Sequence, residues 1–404
     1  MPMKIAVVGG GVIGTSIAWH LAMRKLGEVL LVERDRLGSG TTWHSAGNIT
    51  WKPLSNHDLA VLYALETIAH LEKDHDRSTG WLKTGRMFIA RSDAVRQDFE
   101  RFDRVAKDKG IGARWLEPGE AQALNPLLDG SKVGAIWFNP LSGRVNPADL
   151  TAAYASAARA AGARILENRE ALRLSLAGGR VSGIDTREGF IEADTVVVAS
   201  GLWSRGLLAP LGVGLPQVPC EHFYVIANTS PRLNRETPSF VAPDDLIYGR
   251  EEVGGFLVGF FDENAKTLDP SSLPNPFSFT LLPPDWDKIA PYFEKAVEIF
   301  PALEKAPIRH FINGPESFTP DGKPLIGRVP DIDGLVVATA MNSAGVTWSA
   351  MTGHIVADMV AGVSPKFDHA RYDPMRFGDK GHDIEWLKGQ IAGIVSLGYR
   401  NQNR

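Results

Sequence analysis

Short apolar runs at the start of the chain predict a strand–helix–strand unit. In Lys4–Val8 the four residues after the lysine are all apolar, which is typical of a parallel strand covered on both faces. Residues 12–25 have apolar positions at helical spacing, and Glu28–Val32 repeats the pattern of a buried strand. The order of these segments indicates a βαβ unit.

The rest of the chain divides into further helical and strand-like segments. Helices are predicted over residues 58–76, 92–109, 146–161, 286–300 and 346–360. Strands are predicted over residues 80–91, 193–201 and 334–339, with a hairpin around Gly178-Gly179. Residues 219–262 instead contain short strands separated by turns, the pattern typical of an antiparallel sheet.

Composition excludes several classes of function. The chain has 404 residues, which favours two domains over one, and its 44% apolar and 22% charged residues are typical of a globular protein. A net charge of -4 provides no basic surface for nucleic acid or anionic lipid, so we expect neither partner. Cys220 is the only cysteine, which excludes an internal disulfide, a cysteine zinc site and an iron–sulfur cluster, and favours a reducing compartment.

Targeting signals and metal ligands are not predicted. The apolar run within residues 1–22 is interrupted by four glycines and lacks a cleavage site, unlike a signal peptide. No apolar stretch approaches the roughly 20 residues that span a bilayer, so we expect a cytoplasmic protein without membrane insertion. His70 and His75 are five positions apart, not the four that align two ligands on a helix, so no metal site is expected.

A glycine-rich turn after the first strand carries the first candidate chemistry. Gly9, Gly11 and Gly14 form the pattern G-x-G-x-x-G, which permits a tight turn, close approach of a pyrophosphate and close packing of the helix. The N-terminus of that helix offers unpaired N–H groups to phosphate. Glu33 ends the second strand, where a carboxylate can accept hydrogen bonds from ribose hydroxyls. Together these residues predict a dinucleotide cofactor.

The segment after this unit favours FAD over NAD. An NAD dehydrogenase would continue with further short βα units, whereas residues 38–47 are rich in glycine and hydroxyl side chains. Small residues there allow an extended ligand to approach closely, and Thr41, Thr42 and Ser45 can donate hydrogen bonds to it. A second buried strand, ending at Gly201, is of the kind that backs the nucleotide from the other side.

The fold expected from these segments is α/β. A Rossmann-like FAD-binding domain is built from separated segments and carries an interleaved antiparallel-sheet substrate domain. We expect the FAD-binding domain to comprise residues 1–79, 138–209 and 317–380, and the β-rich substrate domain to comprise residues 80–137 and 210–316. Residues 381–404 form a C-terminal tail, in which the motif at 386–399 is either a docking segment or a frayed end.

At these residues the chain resembles the dimethylglycine and sarcosine dehydrogenase family, within the D-amino-acid-oxidase-like flavoproteins. The similarity extends over about residues 4–380 and includes the glycine fingerprint with Glu33 and the segments TTWHSAG, ASGLWS and NGPESFTPDGKPLIG. In that family the loop histidine is bonded to the ring methyl of the flavin, and the resemblance implies this role for His44. A neutral imidazole nitrogen is a competent nucleophile near neutral pH. The alternative is that His44 only hydrogen-bonds the flavin or the loop.

The resemblance also implies active-site residues. The segment PCEHFY resembles a family segment with a histidine near the flavin, which implies a catalytic role for His222, and IYGREE resembles the segment with its active-site tyrosine, here Tyr248. Alternation along a strand places His222 and Tyr224 on one face, and Tyr248 and Arg250 on one face of another strand. Arg250 would suit a substrate carboxylate held in bidentate fashion. The alternatives are ordinary packing for the tyrosine and a surface charge for the arginine.

The loop before the last long helix is expected to border the flavin. Residues 341–347 join a strand to this helix, so backbone N–H groups and the helix N-terminus can point at a flavin carbonyl. Asn342 and Ser343 depart from the aromatic- and glycine-rich loop common in the family, which leaves the identity of the substrate open. The full set of predicted cofactor-binding residues is Gly9, Gly11, Val12, Ile13, Gly14, Glu33, Arg34, Thr41, Thr42, Trp43, His44, Ser45, Ala46, Gly47, Ala171, Gly201, Trp203, Asn342, Ser343, Gly345, Val346 and Thr347.

The implied reaction is FAD-dependent oxidative N-demethylation. The expected substrate is a secondary or tertiary N-methyl amino acid such as sarcosine, dimethylglycine or a methylproline, which yields the demethylated amine and formaldehyde. Full-length family members usually continue into a folate-binding module, so a folate-binding subunit and an electron-transfer flavoprotein are candidate partners. The alternatives are oxidation of a primary or cyclic amino acid, as in glycine or D-amino acid oxidases, a flavoprotein subunit of a larger complex, and an FAD-binding scaffold without activity.

Overall fold

The computed structural model describes residues 2–54, 56–274 and 276–396, and of residue 75 only the backbone. The strands of this part are β1 (Lys4–Val8), β2 (Glu28–Val32), β3 (Asn48–Ile49), β4 (Arg86–Ala90), β5 (Arg114–Leu116), β6 (Ala135–Asn139), β7 (Gly143–Arg144), β8 (Arg164–Leu166), β9 (Ala171–Ala177), β10 (Arg180–Thr186), β11 (Gly189–Glu192), β12 (Thr195–Val198), β13 (Val218–Ala227), β14 (Ser239–Ala242), β15 (Ile247–Glu252), β16 (Gly255–Phe260), β17 (Ile308–Phe318), β18 (Leu325–Arg328) and β19 (Leu335–Thr339). The α-helices are α1 (Val12–Met23), α2 (His57–His75), α3 (Asp93–Asp108), α4 (Pro118–Leu124), α5 (Pro147–Ala160), α6 (Ser204–Leu208), α7 (Trp286–Ile299), α8 (Gly345–Ala361) and α9 (Ile384–Ile391).

A six-stranded sheet forms the nucleotide-binding part. Its strand order is β18-β19-β12-β1-β2-β8, and all neighbouring pairs are parallel except β18 with β19. The central strands are buried on both faces, because α1 packs with α5 and α8 on one side and a second apolar cluster covers the other. The predicted βαβ unit is confirmed, and the sheet is assembled from separated segments as expected.

The starts of α3 and α5 follow capping rules that are visible in the sequence. Asn146 caps α5 by accepting hydrogen bonds from the N–H groups of Ala148 and Asp149, and Pro147 occupies the first helical position. Ser92 caps α3 in the same way through the N–H of Val95. Both helices therefore begin where the sequence predicted.

The second large sheet has eight strands in the order β17-β13-β16-β15-β14-β4-β6-β5. Its pairs are antiparallel with one exception, since β14 runs parallel to β4. These two strands come from distant segments of the chain, so no hairpin requires them to be antiparallel. This sheet is the predicted β-rich part, with one parallel pair that the sequence did not indicate.

Residues 80–91 contain less strand than the pattern suggested. Only Arg86–Ala90 pairs in the eight-stranded sheet, and Leu82 forms an isolated bridge with Arg144. Gly85, with a φ angle of +74°, turns the backbone between the bridge and the strand, and Gly80, with a φ angle of +68°, turns it before the bridge. The domain boundaries drawn from the sequence stay a prediction.

The C-terminal segment folds back onto the eight-stranded sheet. Helix α9 buries Leu387 and Ile391, and Val395 joins them against Val218 and Phe318. The tail is thus packed at least as far as residue 396, while Tyr399 lies outside the described residues. No helix of the described chain is long and apolar enough to cross a membrane. Within the same residues, no group of three or more histidine, cysteine or acidic side chains is arranged to hold a metal ion.

Candidate active site

The glycine fingerprint has the geometry that its sequence implies. Gly9 has a φ of +111°, and its N–H donates to the carbonyl of Val32 at 2.9 Å, which fixes the turn out of β1. A Cβ on Gly14 would lie 1.9 Å from the carbonyl oxygen of Gly9, so only glycine lets α1 approach the turn this closely. Gly11, the N-cap residue of α1, has no side chain to cap the helix, and the N–H of Val12 donates to Thr42 Oγ1 at 3.2 Å, so Thr42 already binds one N–H group at this helix start.

Glu33 is held in place by backbone donors. Its two carboxylate oxygens accept from the N–H groups of Gly10 at 2.6 Å and Asp35 at 2.9 Å. Burial raises the pKa of Glu33 above its usual value, although both hydrogen bonds oppose this shift. The guanidinium of the neighbouring Arg34 stacks on the ring of Trp203 at 4.4 Å. These contacts fix the acid at the edge of a cavity.

A cavity of about 760 Å³ runs along this edge, within the size range of ligand sites. The predicted cofactor residues that line it are Gly9, Gly11, Val12, Ile13, Glu33, Arg34, Thr41, Thr42, Ser45, Ala171, Gly201, Trp203, Asn342, Ser343, Gly345 and Val346. Ala46, Gly47 and Thr347 line a smaller adjoining cavity instead. Gly14, Trp43 and His44 line neither cavity.

His44 is next in the chain to Ser45, which lines both cavities. Its side chain is 4% exposed, and its Nε2 is buried with no hydrogen-bond partner among the described residues. The ring lies against Gly314, where a Cβ would be 2.3 Å from Nδ1. Burial lowers the pKa of His44 to about 4, partly opposed by the carboxylate of Glu316. The imidazole is therefore neutral at neutral pH and has one nitrogen whose hydrogen-bonding capacity is unmet.

The loop before α8 has an unusual backbone. Ala340, Asn342 and Ser343 have φ angles of +53°, +48° and +62°, a region that L-residues rarely adopt. The side chain of Asn342 accepts from the N–H of Thr319, and Ser343 donates to the carboxylate of Glu316. Helix α8 begins at Gly345 without a side-chain cap, so its first N–H groups are available near the cavity. Such strain is typical of functional sites.

The smaller cavity has a volume of about 110 Å³ and adjoins the larger one. Both cavities are lined by the same five residues, which are Ser45, Glu316, Asn342, Ser343 and Val346. His222 and Tyr248 line only the smaller cavity. The two catalytic candidates thus lie beside the point where the cavities meet.

His222 and Tyr248 form a pair. His222 Nε2 and the Tyr248 hydroxyl are 3.2 Å apart, and the two rings are nearly parallel. The tyrosine ring passes over Gly259, since a Cβ there would lie 2.1 Å from its Cζ. The Nδ1 of His222 is buried and has no hydrogen-bond partner within the described chain. This pair can hold or accept a proton next to a bound ligand.

Arg250 is on the expected face of β15 but lines neither cavity. Its Nε donates to the carbonyl of Ala46 at 2.7 Å, and it also binds the carbonyl of Glu251 and the carboxylate of Glu252. The guanidinium is therefore occupied in fixing the loop that contains Ala46. This differs from the expected contact with a substrate carboxylate.

Three polar residues of the smaller cavity were not anticipated from the sequence. Lys52 is 6% exposed, and burial together with the charge of Arg86 lowers its pKa to about 7. His57 lies nearby, with Nε2 2.8 Å from the carbonyl of Thr50, and burial lowers its pKa to about 4. Glu316 is 8% exposed. The available signals were a lysine within the apolar segment NITWKP and an unassigned acid within NGPESF.

Comparisons with known proteins agree with this architecture. Residues 4–359 match the family model described as FAD dependent oxidoreductase. The chain is 32% identical to 4-methylaminobutanoate oxidase (formaldehyde-forming) of Paenarthrobacter nicotinovorans, over 96% of this chain and 47% of that protein. It is also 32% identical to mitochondrial sarcosine dehydrogenase of Mus musculus, over 93% of this chain and 41% of that protein. The chain thus spans less than half the length of these two relatives.

The fold is shared with solved structures of similar length. The crystal structure of L-proline dehydrogenase from P. horikoshii superposes with a TM-score of 0.81 at 26% identity, covering 93% of this chain and 98% of that one. The family match, the glycine fingerprint and the long cavity beside it agree on the cofactor. The chain belongs to the family of FAD-dependent oxidoreductases.

Proposed function

We propose that the protein oxidises an N-methyl amino acid with a secondary or tertiary nitrogen and releases the methyl carbon as formaldehyde. The observation that carries this proposal is the small cavity beside the cofactor cavity, with the His222–Tyr248 pair in its wall. Its volume suits a small amino acid. The names of the two relatives, one a formaldehyde-forming oxidase of a methylamino acid and one a sarcosine dehydrogenase, support it.

The residues present fit FAD. The cavity follows the glycine fingerprint to the start of α8, and the N-termini of α1 and α8 lie at these two places. When bound, FAD supplies the acceptor for the hydride that leaves the N-methyl carbon. The N–H groups at the start of α8 would favour negative charge beside them.

The protein's task is then to bind the amine, keep its lone pair available and exclude water. The C–H bond breaks as the nitrogen lone pair forms a C=N bond, so the amine must first lose its proton. His222, supported by the Tyr248 hydroxyl, is placed to accept that proton. Water then adds to the C=N carbon, and the product separates into formaldehyde and the demethylated amine.

We further propose that His44 is bonded covalently to the flavin. Its neutral ring and the buried Nε2 without a partner support this assignment, because a C–N bond would satisfy that nitrogen. Forming this C–N bond would replace an N–H bond of His44 and a C–H bond of the flavin ring methyl, and two protons and two electrons would be released. The two electrons would pass to the same final acceptor that takes up electrons during turnover. An electron-transfer flavoprotein, a folate-binding partner and a cytoplasmic location stay predictions from the sequence.

Anaerobic mixing of the holoenzyme with a panel of amino acids tests the proposal. Sarcosine, dimethylglycine or N-methylproline should bleach the absorbance of oxidised flavin, whereas glycine, alanine and proline should not. Bleaching by glycine, alanine or proline but by none of the N-methyl compounds would contradict the proposal and would indicate a deaminase or a proline-type dehydrogenase instead. No bleaching by any of these compounds would contradict N-demethylation.

A further inference from the structure

The C-terminal segment (residues 384–395) forms part of the wall of both cavities. Ile384 and Lys388 line the larger cavity, and Ile394 and Val395 line the smaller one. The sequence suggested either a docking segment or a frayed end for this part of the chain. Neither of those roles accounts for side chains that line the cofactor and substrate cavities.

Hydrogen bonds hold the C-terminal segment near both of its ends. The guanidinium of Arg205 donates to the carbonyl oxygens of Gly381 at 2.6 Å and His382 at 3.2 Å, just before the segment begins. The N–H of Ala265 donates to the carbonyl oxygen of Ala392 at 2.9 Å, close to its end. The position of the segment is therefore set by contacts with distant parts of the chain.

Apolar packing places the C-terminal segment on the face of the sheet that carries His222. In the pairing of β13 with β17, His222 is opposite Gly314, and Val218 is opposite Phe318. Residues an even number of positions apart on a strand share a face, so His222 and Phe318 project from the same side of the sheet. Val395 is buried in one cluster with Val218 and Phe318. The segment therefore covers this face next to the catalytic candidates.

The side chains of Phe318, Ile394 and Val395 form an apolar wall of the smaller cavity. They line this cavity and not the larger one. The residues that line both cavities mark the junction with the cofactor cavity, so the apolar wall lies outside that junction. Hydrocarbon side chains offer no hydrogen bond to a carboxylate, and burying a charge against them is costly. The apolar wall therefore suits a hydrocarbon part of the substrate that is remote from the reacting carbon.

We propose that the C-terminal segment determines specificity, with Ile394 and Val395 limiting the size of the side chain on the α-carbon of the substrate. This proposal rests on the proposed function, in which the reacting N-methyl carbon lies at the junction and the α-carbon lies within the smaller cavity. It narrows the substrate to N-methyl derivatives of glycine and of amino acids with small side chains.

Two ligands that cannot be oxidised measure the space beside the apolar wall. Trimethylglycine and trimethylnorvaline both have a carboxylate and a quaternary nitrogen without a lone pair, and the second compound adds a propyl side chain on the α-carbon. Each compound, with both enantiomers of the second, is titrated into the holoenzyme, and the absorbance of oxidised flavin gives the dissociation constant. In the unmodified protein, both enantiomers of trimethylnorvaline should bind at least about tenfold more weakly than trimethylglycine.

Variants then assign this limit to the apolar wall. Val395→Ala should strengthen the binding of one enantiomer of trimethylnorvaline about tenfold and leave trimethylglycine unchanged, and Ile394→Ala should act in the same direction. Val395→Ile adds one carbon to the wall and should weaken trimethylnorvaline further. The matched control is Ile391→Val, because Ile391 is buried in the same cluster as Val395 but lines neither cavity. This control should leave both affinities unchanged.

The outcomes separate this proposal from the proposed function. Equal affinities for the two compounds in the unmodified protein, or no binding of either, would overturn the role of the apolar wall whether or not any variant folds. An unchanged ratio of affinities in Val395→Ala would also overturn it, and so would an equal change in Ile391→Val, since loosened packing would then be the cause. Because neither compound can reduce the flavin, these results do not depend on whether N-methyl amino acids are oxidised.

Discussion

Gly314 provides the space in which the His44 ring lies, and its replacement by alanine is a specific perturbation of that ring. The backbone at Gly314 is not in the left-handed region, so alanine introduces no backbone strain. The added Cβ would lie 2.3 Å from His44 Nδ1, whereas ordinary contacts begin at 3.4 Å. The ring must therefore move by about 1 Å. A misplacement of this size lowers the rate of a reaction that depends on orientation by about 100-fold, or roughly 2.7 kcal/mol in the barrier.

We expect Gly314→Ala to bind FAD but to form the covalent bond at His44 about 100-fold more slowly. The assay adds FAD to apoprotein and follows flavin fluorescence that stays with the denatured chain on a gel, with total bound flavin measured by absorbance before denaturation. Gly119→Ala is the matched control, since a Cβ there meets nothing within 4 Å. His44→Ala gives the background without any bond.

If the covalent bond forms in Gly314→Ala as fast as in the unmodified protein, the position of the His44 ring against Gly314 does not control bond formation, and the reasoning is refuted. Absence of covalent flavin in the unmodified protein would instead refute the assignment of His44. Loss of total flavin in the variant, with normal binding in Gly119→Ala, would show that Gly314 serves the cofactor cavity as a whole rather than the His44 ring.

Two further results are expected. Gly259→Ala should slow flavin reduction while leaving FAD content unchanged, because the added Cβ would displace the Tyr248 ring. Stopped-flow absorbance measures the rate of flavin reduction. A rate equal to that of the unmodified protein would count against a catalytic role for the His222–Tyr248 pair. The free energy of unfolding should fall as the pH drops below about 6.5, because burial lowers the pKa of His20 to about 3 and that of His57 to about 4, so that the unfolded chain takes up protons that the folded chain does not. Urea unfolding at pH 7.5 and at pH 5.5 should give free energies that differ by about 3 kcal/mol for the two histidines together. Equal free energies at the two pH values would be inconsistent with neutral buried rings.

The nucleotide-binding part follows from local patterns. The strands Lys4–Val8 and Glu28–Val32 and the start of α1 occur where the apolar spacing and the glycine fingerprint predict them. Each of these signals is contained within a few neighbouring residues, and a βαβ unit has a single common handedness. Local sequence therefore determines most of this region.

The smaller cavity depends on contacts between distant segments. Glu316 reaches it through the register of β17 against β13, which no local pattern specifies. Alternation along β15 correctly placed Tyr248 and Arg250 on one face, but it did not reveal that Ala46 and Glu252 bind the guanidinium. Lys52 follows the loop without a motif of its own, so its burial is visible only in the folded chain.

The origin of formaldehyde is the most direct test of the central claim. The holoenzyme, kept anaerobic, would receive one equivalent of sarcosine or dimethylglycine carrying carbon-13 in the N-methyl group, and labelled formaldehyde would be measured against reduced flavin. The account predicts one labelled formaldehyde for each flavin reduced, with glycine or sarcosine as the other product. Flavin reduction with the label retained on nitrogen, and glyoxylate formed instead, would show that the carbon beside the carboxylate is oxidised and would contradict N-demethylation.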